Sequence, residues 1–226
     1  MIAQSASPAD QLSDKTPDSE LVSLAAGGST AAFEVIMRRH NRLLFRSARS
    51  ILKSDADTED AVQDAYLNAW RSLGQFRADS RLSTWLVRIA INEALKRVRR
   101  RASNVVNFGA GAQLEDASTE EADQDQQPEA AASRGEVRRL MEARIDNLPE
   151  VFRTVFMLRA VEEMTVEEVS AALDIPEATV RTRFFRARAH LRESLSRDLD
   201  FALNDAFSFD GARCDRIVAN VLDAIP

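Results

Sequence analysis

Apolar positions recur in this chain at spacings of three and four, the period of an α-helix. Between Leu82 and Arg101 the stripe is Leu86, Val87, Ala90, Ile91, Ala94, Leu95 and Val98. In "TEDAVQDAYLNAWRSL" it is Val62, Ala65, Tyr66, Ala69 and Leu73. In "IPEATVRTRFFRARAHLRE" it is Val180, Phe184, Ala187 and Leu191. Polar punctuation supplies the ends. Asp18 is the expected N-cap of "SELVSLAA", which Gly27-Gly28 closes. Ser29 or Thr30 opens a long helix to about Leu52. Asp57 is the expected N-cap of a third helix reaching about Leu73. "GQFRADS" is a loop, and a fourth helix runs from about Leu82 to Arg101.

Further along, helices are expected near 135–147, 150–162, 166–173 and 177–196. Pro149 suits a first turn, and Thr165-Val166-Glu167-Glu168 reads as a capping box. After "LDIP", a tight turn, comes the arginine-rich helix, so 166–196 has a helix-turn-helix pattern. Residues 102–134 lack an apolar period beyond "VVNF" and are rich in Ala, Gln, Asp and Glu, which reads as a flexible acidic linker. With 226 residues, 45% hydrophobic, and only 7 Gly and 6 Pro, the chain is expected to be all-α. Two small helical domains, 18–101 and 135–197, are joined by the linker 102–134, with a polar, disordered N-terminus 1–17 and a tail 198–226.

No apolar run is long enough to span a membrane. The acidic N-terminus is not a signal peptide, so a cytoplasmic location is the expectation. One cysteine, Cys214, leaves no internal disulfide and no cysteine metal cluster. Neither a metal site, a cofactor nor a catalytic constellation is expected. His40 and His190 have no paired motif and are expected at the surface.

Charge changes the picture. The formal net charge is −6, yet it is segregated into blocks. Residues 81–101 hold seven bases and one acid; residues 102–134 hold seven acids and one base. Residues 175–193 hold five arginines and His190. On that helix Ala178, Thr182, Phe185, Arg186 and Ala189 lie opposite the apolar stripe, flanked by Arg181 and Arg183. Small residues let a helix enter a groove, arginine forks onto guanine, and Thr or Phe touches a thymine methyl. The flanking arginines suit phosphates. Phe184 therefore belongs to the core and Phe185 faces outward. On the helix from Leu82, Trp85, Asn92 and Lys96 share a line with Arg88, Ile89 and Arg99 beside it. An aromatic, an amide and cations suit unstacked bases and phosphates. The helix before it differs: Asp60, Gln63, Asp64, Leu67 and Arg71 face out, with Trp70 at the edge. Exposed Leu and Trp beside acids suit a protein partner.

At these residues the chain resembles the bacterial extracytoplasmic-function (ECF) sigma factors of the sigma-70 family. "DTEDAVQDAYLNAWRSLGQFRADSRLSTWLVRIAINEALKRVRRR" is similar to sigma region two. "LPEVFRTVFMLRAVEEMTVEEVSAALDIPEATVRTRFFRARAHLRESL" is similar to region four. The resemblance covers roughly 29–101 and 135–197. It implies that region two binds the β′ clamp helices of RNA polymerase core and melts the minus-ten promoter element. It implies that region four binds the β flap and reads the minus-thirty-five element.

On this chain the expected polymerase face is Asp60, Gln63 and Asp64, with Leu67 and Trp70 beside them. The expected minus-ten set is Phe76, Arg77, Trp85, Arg88, Asn92 and Lys96. The minus-thirty-five set is Thr179, Arg181, Thr182, Arg183, Phe185 and Arg186. An anti-sigma protein is a further partner implied by the family. One departure is Asp174, where such turns often carry Gly; Asp tolerates a left-handed backbone. Another is the tail, where Ile217, Val218, Val221 and Leu222 fit one short amphipathic helix. Two rival readings are an autonomous helix-turn-helix regulator, which leaves the acidic face unexplained, and a protein-only adaptor, which leaves both arginine faces unexplained.

Overall fold

A computed structural model describes residues 15–107 and 128–206, and all regular structure among them is helical. Helix α1 is Asp18–Ala26, α2 is Thr30–Leu52, α3 is Asp55–Ser72 and α4 is Leu82–Asn107. A 3₁₀ turn, Leu73–Gln75, follows α3. Helix α5 is Pro128–Asp146, α6 is Glu150–Phe156, α7 is Val166–Leu173 and α8 is Glu177–Ala206. A π-helical turn, Met157–Val161, continues α6.

Small polar side chains start several of these helices. Ser29 Oγ accepts from the Ala32 N–H at 3.2 Å at the head of α2. At α7 the capping box is complete: Thr165 Oγ1 accepts from the Glu168 N–H (3.2 Å) and Glu168 Oε2 from the Thr165 N–H (2.8 Å). Asp174 takes the left-handed conformation at φ 54°, which a short polar side chain tolerates better than most residues with a Cβ. Its backbone N–H closes α7 onto the Ser170 carbonyl.

Two expected caps are not caps. Pro17 precedes α1, and Asp18 is its first residue, its carboxylate paired with Arg39. Ser54 caps α3, accepting from the Asp57 N–H at 3.4 Å, while the Asp57 carboxylate pairs with Arg101. Pro149 sits one position outside α6 rather than in its first turn. Three helices are longer than their apolar stripes. Helix α4 continues to Asn107 and α5 starts at Pro128, so the expected linker is helical at both ends. Helix α8 continues to Ala206, into the expected tail. Pro128 stands at the first position of α5, where a missing N–H costs nothing, and the α8 extension holds neither Gly nor Pro. Cys214 and the apolar positions from Ile217 to Leu222 lie outside the described residues.

Helices α1–α4 form one bundle, with α2 packed on α1, α3 and α4; α6, α7 and α8 form a second. The stripes read from sequence are the cores. Ala61, Ala65, Ala69, Leu86, Val87, Ala90 and Ala94 are all but inaccessible. Burying each larger apolar side chain contributes roughly 1.5–3 kcal/mol. In the second bundle Val180, Ala187 and Leu191 are buried, Phe184 half-buried and Phe185 73% exposed. The bundles also touch. Helix α7 packs on α4 and α6 on α2, and Val155, Leu158, Met164, Val169 and Val180 join the apolar cluster of the first bundle.

His40 corrects the expectation of a surface residue. It is 7% exposed, on the same stripe of α2 as Phe33, Ile36 and Leu44. Burial pushes its pKa below the usual 6.5, opposed by Asp18 and reinforced by Arg39. A histidine held neutral in the fold binds a proton more readily when unfolded, so its contribution falls as pH drops from 6.5 towards the folded pKa. We expect wild-type stability, measured by urea denaturation, to decline between pH 7 and 5. His40→Leu should flatten that slope; an identical slope in the variant would assign it to other groups.

Candidate nucleic-acid interface

Helix α8 is held by its apolar stripe, and this fixes which side faces solvent. Arg181, Thr182, Phe185, Arg186 and Ala189 are exposed; Thr179 and Arg183 are half-buried. Thr182 Oγ1 donates to the Ala178 carbonyl at 2.8 Å, leaving its methyl and lone pairs outward. The Arg181 guanidinium lies 2.6 Å from Glu177, a pair that is 59% and 43% exposed. Phe184 is held from both sides. Its ring stacks near Phe156 at 6.2 Å, and the guanidiniums of Arg159 and Arg188 lie 5.7 and 5.9 Å from its centroid. His190 stacks on Phe152 at 5.5 Å. The expected outward set is thus one continuous basic face with a bare phenyl ring at its centre.

On α4, Arg88, Asn92 and Lys96 are exposed, on one side, over the buried Leu86–Ala94 stripe. Trp85 is half-buried and packs against Phe76 of the preceding loop, their ring centroids 5.3 Å apart and their planes tilted by 54°. Arg77 is exposed in that loop, next to Ala78 at φ 56°. Such a backbone costs a non-glycine residue about 1–2 kcal/mol. The aromatic of this face is therefore a tilted pair rather than a lone tryptophan. Lys96 Nζ is 2.6 Å from Glu93, and Glu93 also accepts from Asn68 at 2.8 Å.

The neighbouring face on α3 is acidic and apolar. Asp60, Gln63 and Leu67 are exposed, Leu67 by 55%; Asp64 and Trp70 are half-buried. Trp70 packs edge-on against Phe33 at 5.0 Å. Beside this row runs a groove of about 980 Å³ between α2 and α3, lined by Met37, Asn41, Phe45, Val62, Gln63 and Tyr66. The α2 wall of the groove was missed in sequence. Its signal is Met37 and Phe45, apolar residues off the buried stripe of that helix.

Arg97 was also missed as a structural residue. Its guanidinium reaches Asp64 at 2.6 Å and Asp60 at 3.4 Å. The acidic row of α3 and the basic helix α4 are thereby tied together. No group of three or more His, Cys, Asp or Glu side chains among the described residues is arranged to hold a metal ion. No helix among them is long and apolar enough to cross a membrane.

Residues 36–104 match the family model of sigma-70 region 2, and residues 138–191 match that of sigma-70 region 4. The chain is 32% identical over 182 residues to the RNA polymerase sigma-H factor of Pseudomonas aeruginosa, covering 79% of this chain and 93% of that protein. It is 33% identical over 187 residues to the ECF RNA polymerase sigma-E factor of Escherichia coli K12, covering 78% and 93%. Among solved structures, CnrH in complex with the cytosolic domain of CnrY is similar at 28% identity. That match covers 80% of this chain and 98% of CnrH with a TM-score of 0.56. The sigma factor RpoE of Bartonella quintana, solved with the anti-sigma factor NepR, shares the fold at 23% identity. Its TM-score is 0.61, over 73% of this chain and 96% of that one.

Arg97 is 25% exposed and faces two carboxylates that are 62% and 49% exposed, so solvent screens much of the attraction. Arg97→Gln should lower stability by about 1 kcal/mol in dilute buffer. The loss should shrink in 1 M salt, where screening is shortest. Urea titrations at both ionic strengths measure it; a salt-independent loss would point to packing instead.

Proposed function

The chain belongs to the sigma-70 family, in its extracytoplasmic-function branch, and we propose how its faces divide the work of transcription initiation. A sigma factor is the non-catalytic specificity subunit of RNA polymerase. In this reading residues 18–101 bind core polymerase and the minus-ten element, and residues 135–197 bind the minus-thirty-five element. Asp60, Gln63, Asp64, Leu67 and Trp70 meet the β′ clamp helices, with the α2–α3 groove beside them; the β flap is bound by region four. Thr179, Arg181, Thr182, Arg183, Phe185 and Arg186 meet duplex promoter DNA. Phe76, Arg77, Trp85, Arg88, Asn92 and Lys96 meet the opened strand.

The observation that carries this reading is the coexistence, in one chain, of an acidic-apolar face on α3 and separate basic-aromatic faces on α4 and α8. A helix-turn-helix regulator needs the last alone. The protein acts in the cytoplasm and catalyses no reaction by itself. CnrH and the Bartonella RpoE were solved with CnrY and with an anti-sigma factor; this chain likewise has an anti-sigma partner.

The first test is run-off transcription with core polymerase. Promoter-dependent transcripts are expected, and their absence would favour the regulator. Within that assay two variants separate docking from opening. Arg186→Ala should weaken duplex promoter binding by about 1–3 kcal/mol, selectively at one base pair, if it forks onto a base. An equal loss on every sequence would make it a phosphate contact.

Asn92→Ala should form closed complexes normally and open them poorly, because bases leaving the stack need a polar partner to offset a few kcal/mol of unstacking. A pre-melted bubble template should restore much of the activity. A bubble no better than duplex would make Asn92 a structural amide.

A further inference from the structure

Helix α8 has 30 residues, and α5, α6 and α7 pack on it. Its stripe of Val180, Phe184, Ala187 and Leu191 is buried or half-buried against them. The period does not stop at Leu191. Leu195, Leu199, Ala202 and Ala206 continue it, at spacings of four, four, three and four. Where the stripe leaves the bundle, a groove of about 430 Å³ opens between α6 and α8. Phe156, Leu191 and Leu195 form its apolar floor, and Arg188 and Arg192 stand exposed beside it. The basic face with Thr182, Phe185 and Arg186 lies on the opposite side of the helix, so the groove is a separate surface.

The chain carries a segment with the dimensions of this surface. Twenty residues follow Ala206. Two antiparallel helices need a connection of about two to five residues, which 207–210 supply. Asp210 is a preferred N-cap residue, and Pro226 restricts the residue before it to extended backbone. Between them Cys214, Ile217, Val218, Val221, Leu222 and Ile225 recur at helical spacing as one apolar stripe. A helix of residues 211–225 would measure about 22 Å, and α8 from Leu191 to Ala206 measures about the same.

We propose that residues 211–225 fold back as a helix along α8 and fill the α6–α8 groove. Laid antiparallel across that connection, Gly211 falls beside Ala206, Cys214 beside Leu203, Val218 beside Leu199 and Leu222 beside Leu195. The two apolar rows stay in step over their whole length. Ile225 falls beside Arg192, so the last carbonyls of the tail helix, which have no partner within it, arrive at the arginines of the groove. The tail becomes the final helix of the second bundle. It leaves the basic face of α8 bare and closes the apolar side to any protein partner that does not first displace it.

Cys214 is the chain's one cysteine and lies on the docking stripe, so its thiol reports docking in the unaltered full-length protein. Its alkylation by a maleimide is timed by mass spectrometry, with and without urea, at one pH. The native thiol should react at least about tenfold more slowly than in urea, because an apolar cover hides it and disfavours the thiolate. Val218→Asp in the tail and Leu195→Asp in the groove should each bring the native rate to within about twofold of the urea rate. Circular dichroism checks that the other helices persist; Val218 is outside both bundles, so its variant decides the matter should Leu195→Asp unfold. A fluorescein-labelled peptide of residues 207–226 should bind full-length Val218→Asp, whose groove is vacated, and not wild type.

A native thiol as reactive as in urea overturns the docking. So does protection that survives Val218→Asp, because the tail then lies elsewhere. Protection that fades on dilution also overturns it and assigns the groove to the tail of a second copy. A peptide that binds wild type and Val218→Asp equally shows a groove the tail does not fill. None of these readouts involves polymerase or promoter, so they are independent of the sigma assignment.

Discussion

Arg153 holds two helix ends with one guanidinium. The last carbonyls of a helix have no partner within it, and the negative end of the helix dipole favours a cation there. Here the orphan carbonyls of α2 and those at the end of α5 converge on the same buried side chain. Burial pushes its pKa down, and Asp146 and Glu150 oppose that; an arginine stays charged through such a shift. A lysine offers a point charge on a flexible stem and cannot fork onto three carbonyls in fixed directions. Because Arg153 stands on α6 and also bonds the Ser50 carbonyl of α2, the side chain that closes α5 ties the second bundle to the first.

An acidic chain binds a polyanion only through local charge, and this fold stores the local charge in pairs. Lys96 is paired with Glu93, Arg181 with Glu177, and Arg97 with Asp60 and Asp64. Pairs that keep one partner largely in solvent are worth about 1 kcal/mol or less each. A phosphate that displaces the carboxylate therefore meets little resistance, while the free protein avoids a strong field that would hold it on any DNA. The pairing of Arg97 has a second effect. It joins the helix proposed to meet polymerase to the helix proposed to meet the opened strand, so displacement of one carboxylate row is felt on the other helix.

The apolar stripes made most of the fold legible in sequence. Val62, Ala65, Tyr66, Ala69 and Leu73 are buried as their spacing requires, and so are Val180, Ala187 and Leu191. The split between Phe184 and Phe185 followed from 100° per residue alone. Helix ends were less legible because Ser and Asp near a start have overlapping roles. Asp18 and Asp57 lie in first turns, where acids favour the dipole, but the capping position belongs to the residue before each helix. His40 was readable: it follows Phe33 and Ile36 and precedes Leu44 on one stripe, and its polarity masked the pattern. Arg153 was not readable. One cation on a short helix looks like any solvated residue until the ends of two other helices are placed beside it.

The tilted Phe76–Trp85 pair shows how the surface proposed to meet the opened strand stays compatible with water. A lone exposed indole would leave a large apolar face hydrated and free to stick to other surfaces. Packing the phenyl ring of a loop residue onto it covers part of that face. Aromatic pairs of this geometry contribute about 0.5–1.5 kcal/mol beyond area burial, comparable to the 1–3 kcal/mol of a base stacked on an aromatic ring. The two interactions are close enough in strength to exchange. Phe76 lies in a loop with a left-handed alanine at Ala78, whose strain of about 1–2 kcal/mol favours movement of the loop over movement of α4. The indole is fixed on a rigid helix and the phenyl on a strained loop, so under the proposed roles an incoming base would displace the phenyl, the ring that is cheaper to move. Exposed Asn92 and Lys96 lie farther along the same face of α4.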